Sequence, residues 1–175
     1  ALMADAARTT VAQELVRYLE RRGVTHVFGL CGHTNIAVLA AMSGSSLRFV
    51  NTRHEQVAAH AADGYARASG KASVLLTHLG PGLTNAATGV ANAALDSIPM
   101  VCITGQVPTA AIGTDAFQEC DTVGITRSIT KHNELVMTAD DLPMVVRQAF
   151  HIATTGRPGP TLIDVPKDVL QNTME

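Results

Sequence analysis

The stretch SVLLTHLGPGLTNAATGVANAAL, residues 73–95, decides the fold. Its start, Ser73 to Thr77, is a short apolar run of the kind that fills a buried strand, and Leu83 to Leu95 has the length and small-residue content of a packed helix. Between them His78-Leu79-Gly80-Pro81-Gly82 supplies the turn. A strand feeding a helix through a glycine turn is half of a βα unit, and the same alternation recurs on both sides of it. Upstream, Val11, Leu15, Val16 and Leu19 keep helical spacing, with Thr9 or Thr10 as a cap and Gly23 as the stop. Further strands are expected at 25–29, 47–51, 100–104, 135–137 and 161–165, and further helices near 35–42, 55–68 and 142–155. The pattern predicts an α/β domain, doubly wound, with a mostly parallel six-stranded sheet and helices on both faces. Residues 9–170 are expected to form this one domain, with 1–8 a disordered or appended tail and 171–175 the start of an interdomain linker.

Composition narrows the function classes. A length of 175 residues suits one domain with a well-buried core, and 46% hydrophobic against 16% charged residues suits a packed α/β chain rather than a disordered one. The net charge of -2 and the absence of a basic run leave no electrostatic footprint for nucleic acid, and 3% aromatic residues provide no stacking platform for single strands. The longest uncharged run, Ala72 to Leu95, is broken by Gly80-Pro81-Gly82 and by polar residues, so no membrane span is expected. Cys31, Cys102 and Cys120 are odd in number and lack Cys-x-x-Cys spacing, which points to a reducing, cytoplasmic setting.

In such sheets ligands bind beyond the carboxyl ends of the strands, and the segments there carry nearly all the unusual chemistry of this chain. They are Gly29 to Asn35, Thr52 to Gln56, His78 to Asn85 and Gly105 to Pro108, and the four are expected to share one rim. Glu55, at the start of a helix, admits two readings. Thr52-x-x-Glu55 is a capping box by spacing, whereas a carboxylate buried there would suit proton sharing with a bound heterocycle. Gly80-Pro81-Gly82 is neither a Walker loop nor a complete dinucleotide fingerprint. It fits either a tight turn or the close approach of a flat neutral ring. His33 and His78 stand on the rim and can exchange protons near neutral pH, whereas His60 and His151 fall inside helices. Cys31-x-His33 and the pair His54 and His60 are poor zinc patterns, and no protein-bound metal is expected.

Several strings together resemble thiamine-diphosphate-dependent enzymes: Arg53-His54-Glu55-Gln56, Gly64-Tyr65-Ala66-Arg67, Gly80 to Asn85 and Asp96-Ser97-Ile98-Pro99. Ile103 to Pro108, Gly113 to Glu119, Arg127 to Asn133 and Gly156 to Pro160 are similar to acetolactate synthases in particular, and the match is to the N-terminal domain that holds the cofactor's aminopyrimidine ring. The resemblance implies that Glu55 hydrogen-bonds the pyrimidine N1' atom and favours the imino tautomer that deprotonates thiazolium C2. It places Gly32, Gly80, Pro81, Gly82 and Asn85 against the cofactor, Gln118 and Phe117 at the substrate pocket, and Lys131 and Pro108 at its entrance. It implies a small 2-keto-acid substrate, carboligated or decarboxylated, and a homo-oligomer.

The first half departs from the synthase pattern. Gly32-His33-Thr34-Asn35 stands where synthases usually read Gly-Gly and a small residue, and Leu79 stands where they usually have Ser. His78 resembles instead the proton-transferring histidine of benzoylformate decarboxylase, so His78 joins Glu55 and Gln118 as a catalytic candidate and His33 as a pocket residue. A 2-keto-acid decarboxylase, a cyclic diketone hydrolase and a non-catalytic assembly domain stay open beside the carboligase. The family's Gly-Asp-Gly motif for Mg2+ and diphosphate is missing, which implies that a diphosphate-binding domain of the same protein or another subunit supplies Mg2+ and that the chain alone is inactive. FAD, bound in synthases mostly by another domain, belongs to what the resemblance allows for the intact enzyme.

Overall fold

The computed structural model describes residues 9–174. Six strands form one sheet with every neighbouring pair parallel: β2 (His26–Gly29), β3 (Arg48–Asn51), β4 (Ser73–His78), β5 (Met100–Gln106), β6 (His132–Leu135) and β7 (Pro160–Pro166), in the order β3-β2-β4-β5-β7-β6. The helices are α1 (Val11–Arg21), α2 (Ile36–Met42), α3 (Glu55–Ser69), α4 (Leu79–Leu95), α5 (Thr122–Thr126), α6 (Leu142–Thr154) and α7 (Lys167–Gln171).

Alternation along the strands sorts the core into two layers. Val74, Leu76, Val101, Ile103, Ile163 and Val165 point to the side of α1, α2, α6 and α7, whereas Leu75, Cys102 and Leu162 point to the side of α3 and α4. On that second side Ala58, Ala59, Ala62, Ala86 and Ala93 are all fully buried. A Cβ on Gly89 would lie 2.5 Å from the Ala59 methyl carbon, so α3 and α4 touch almost backbone to backbone.

The strand order places the topological switch between β2 and β4: the chain leaves β2 for one edge of the sheet and leaves β4 for the other. Connections that diverge in this way open a crevice at the carboxyl ends of β2 and β4.

Four local differences from the sequence reading have physical causes. The helix after β4 begins at Leu79 rather than Leu83, so Gly80-Pro81-Gly82 is its first turn. Pro81 is tolerated there because a first-turn residue has no intrahelical acceptor for its N–H. The edge strand β6 begins at His132 rather than Leu135, since one side of an edge strand meets solvent and polar residues can pair. Thr10 caps α1 as expected, in a capping box with Gln13, but Thr9–Thr10 (β1) also pairs antiparallel with Thr173–Met174 (β8), a clamp too short for hydrophobic alternation to reveal. Residues 171–174, expected to begin a linker, thus close α7 and pair with β1. The expected tail at 1–8 lies outside the described residues.

Candidate cofactor-binding site

Glu55 is the first residue of α3 and only 5% exposed. His54, not Thr52, caps the helix: its Nδ1 accepts from the Gln56 N–H at 3.2 Å. The Thr52 hydroxyl is engaged with the carbonyls of Gly29 and His54. The capping-box reading of Thr52 and Glu55 therefore fails, and the carboxylate is free of local duty. It turns instead toward α4, where Asn85 Nδ2 donates to Oε2 at 3.0 Å. The other oxygen, Oε1, faces Gly82, whose Cβ, if it had one, would lie 3.2 Å away. Glycine at 82 keeps that side of the carboxylate open.

The first turn of α4 is conformationally costly. Leu79 has φ 51, a left-handed value that penalises a side chain, and it is held by complete burial. The Gly80 N–H donates to the Gln118 carbonyl at 3.0 Å, and a Cβ on Gly80 would fall 2.7 Å from that oxygen and 2.9 Å from Cys120 Sγ. Gln118 and Asp115 are themselves left-handed, with φ 62 and 57. Phe117, which precedes Gln118 in the chain, is 78% exposed.

The turn after β2 closes the other side. Gly32 is required because a Cβ there would sit 2.1 Å from His78 Cγ. The His78 Nδ1 pairs with the Thr34 hydroxyl at 3.1 Å, and the His33 and His78 rings meet edge to face with centroids 5.0 Å apart. Burial, then the neighbouring His33, lower the His78 pKa, while the charge of Glu55 opposes them. His78 is thus biased toward the neutral form, in which one ring nitrogen donates and the other accepts.

Glu55, Gly32, His33, His78, Gly80, Pro81, Gly82, Asn85, Phe117 and Gln118 therefore occupy the rim at the carboxyl ends of the strands. Lys131 does not join them. It precedes β6 at the opposite end of the sheet, and its Nζ donates to the carbonyls of Ile152 and Thr155 at the end of α6. A helix C-terminus attracts a cation, and that contact explains this lysine within the chain. Sequence reasoning missed Thr34 and Asn35, both buried, although Asn35 holds the turn through Gly32 N–H, Leu30 carbonyl and Thr77 carbonyl. It also missed Asp164, the one charged residue in a fully buried strand, which was the available signal.

The family described as "Thiamine pyrophosphate enzyme, N-terminal TPP binding domain" matches residues 9–125. The chain belongs to this family. This TPP-binding domain is 55% identical over 161 residues to acetolactate synthase 3, chloroplastic, of Brassica napus, covering 91% of the chain and 25% of that protein. It is 52% identical over 166 residues to the acetolactate synthase of Arthrospira platensis, covering 93% and 29%. It is 49% identical over 163 residues to the acetolactate synthase large subunit of Buchnera aphidicola, covering 93% and 28%. The chain spans about a quarter of the length of these relatives. Membership implies thiamine diphosphate as the cofactor, and the residues present fit its pyrimidine end: a buried carboxylate with one oxygen held by Asn85 and the other facing Gly82, which has no side chain. Among the described residues no group of three or more His, Cys, Asp or Glu is placed to hold a metal ion, and no helix is long and apolar enough to cross a membrane.

Proposed function

We propose that this TPP-binding domain forms the pyrimidine half of the active site in an acetolactate synthase-like enzyme that carboligates 2-keto acids. The observation that carries the reading is Glu55, buried, gripped by Asn85 and facing Gly82. Bound thiamine diphosphate supplies the carbanion chemistry that a protein side chain cannot. The chain's own part is proton management and geometry. Glu55 Oε1 is the atom that shares a proton with a ring nitrogen, Asn85 fixes the carboxylate's rotation, and the glycine-rich first turn of α4 lets a flat ring approach the backbone. Gln118 and Phe117 border the substrate. Mg2+ and the diphosphate are held by a diphosphate-binding domain of the same protein or of another subunit, within a cytoplasmic homo-oligomer, and any FAD binds largely outside this domain.

A second reading is favoured by the histidine pair. His78, whose Nδ1 pairs with the Thr34 hydroxyl and whose ring meets that of His33, would suit moving a proton within the site, as a 2-keto-acid decarboxylase or a cyclic diketone hydrolase requires. Calorimetric titration of this chain with thiamine diphosphate, with and without Mg2+, tests the cofactor assignment. Weak binding that is indifferent to Mg2+ and lost in Glu55→Ala is expected. Tight Mg2+-dependent binding would overturn the half-site reading, since it needs a diphosphate site within this chain, and binding unchanged in Glu55→Ala would overturn the role given to Glu55. Complementation with the diphosphate-binding remainder of an acetolactate synthase then separates the readings: acetolactate formed from pyruvate supports the carboligase, and decarboxylation alone supports the alternative.

A further inference from the structure

Asp164 sits in β7 and is 1% exposed. Its Oδ2 accepts from Gln106 Nε2 at 2.9 Å and from the Thr122 hydroxyl, while Oδ1 is buried with no partner among the described residues. An orphaned carboxylate oxygen in a core is destabilising, and an apolar residue would remove the penalty. The arrangement makes sense through what the other oxygen holds. Gln106 ends β5, and its amide also donates to the Cys120 carbonyl at 3.3 Å and accepts from the Val107 N–H at 2.9 Å. Thr122 begins α5. Asp164 therefore ties together both ends of the segment from Val107 to Asp121, and it lies in the wall of a cleft of about 650 Å³ that this segment helps to enclose.

That segment carries two left-handed residues, Asp115 and Gln118, a conformation that persists only where surrounding contacts over-determine it. Its contact with the rim is the Gln118 carbonyl on the Gly80 N–H. We propose that Asp164 is a positioning residue: from beneath the rim it fixes both ends of the 107–121 segment, so that Gln118 closes on Gly80 and Gln118 and Phe117 stand at the substrate side of the pyrimidine site. The substrate-side role rests on the proposed function. The mechanical link from Asp164 to Gly80 does not.

Amide hydrogen exchange on this chain tests the link without any cofactor. Thr122→Val removes one donor at nearly constant volume, Asp164→Ala removes the acceptor, and Asp164→Asn keeps a carbonyl oxygen able to accept both donors. Expected is exchange at the Gly80 amide faster by about tenfold in Thr122→Val and in Asp164→Ala, with Leu76 and Ile103 in the sheet unchanged and near wild-type rates in Asp164→Asn. Wild-type exchange at Gly80 in a Thr122→Val chain that still unfolds cooperatively would overturn the proposal, and so would acceleration spread equally over the sheet. Should Asp164→Ala fail to fold, Thr122→Val and Asp164→Asn decide. A chain that shows the link while its Glu55→Ala variant binds thiamine diphosphate as the parent does would support this inference and sink the proposed role of Glu55, which keeps the two failures apart.

Discussion

Placed at the first position of α3 rather than the third, Glu55 is released from capping and aimed across at α4. The difference between a capping glutamate and one free to face α4 is two residues of helix register, which sequence spacing does not resolve. Gly32 is as exacting. In Gly32→Ala the new methyl meets the His78 ring, so the imidazole must leave Thr34, and we expect a loss of about 1–3 kcal/mol in urea unfolding. Histidine NMR should show the His78 pKa moving back toward its ordinary value. Asp164 predicts a pH effect of definite sign. Burial raises its carboxyl to about 6 against an ordinary 3.8, while the bonds from Thr122 and Gln106 pull the other way. Between those values the folded chain keeps a proton that the unfolded chain has released, so stability falls as pH rises through this window. Above it the penalty is constant, at about 3 kcal/mol. Asp164→Asn should therefore gain stability over the parent at pH 7 and little or nothing at pH 4, read from urea midpoints.

At the scale of elements, α3 and α4 set the geometry between Glu55 and Gly82. Gly89→Ala, which must wedge a methyl against Ala59, should cost about 1–3 kcal/mol and weaken cofactor binding by parting the helices. Gly64→Ala, also in α3, meets nothing within 4 Å and should stabilise the chain by about 0.5–1 kcal/mol through the lower entropy of the unfolded state. Thermal unfolding of the two variants checks both signs. The helices and strands themselves were legible, because small residues at helical length and short apolar runs are local signals. The start of α4 was not, since a left-handed Leu79 is stabilised by burial that no local pattern announces. Nor was the cap of α3, where His54 replaced the expected Thr52.

For the whole molecule, the layers and the parallel sheet followed from the alternation of segments, and the shared rim followed from the rule that strand ends gather. The rim residues read from the sequence come together, apart from Lys131, which the opposite end of the sheet claims. Links between residues distant in sequence stayed hidden: Thr34 to His78, and Gln106 and Thr122 to Asp164, each depend on strand order rather than spacing. The pairing of β1 with β8 bears on more than stability. Because Thr10 and Thr173 are partners, the described chain begins and finishes at one place on the surface. A circular permutant that bridges Met174 to Thr9 with a short flexible linker and opens the backbone at Gly44, in the exposed turn after α2, should fold to the same sheet with a circular dichroism spectrum like the parent's. In such a permutant the rim would keep its geometry while new termini emerge beside α2, so the order in which the chain is threaded is separable from the site it builds.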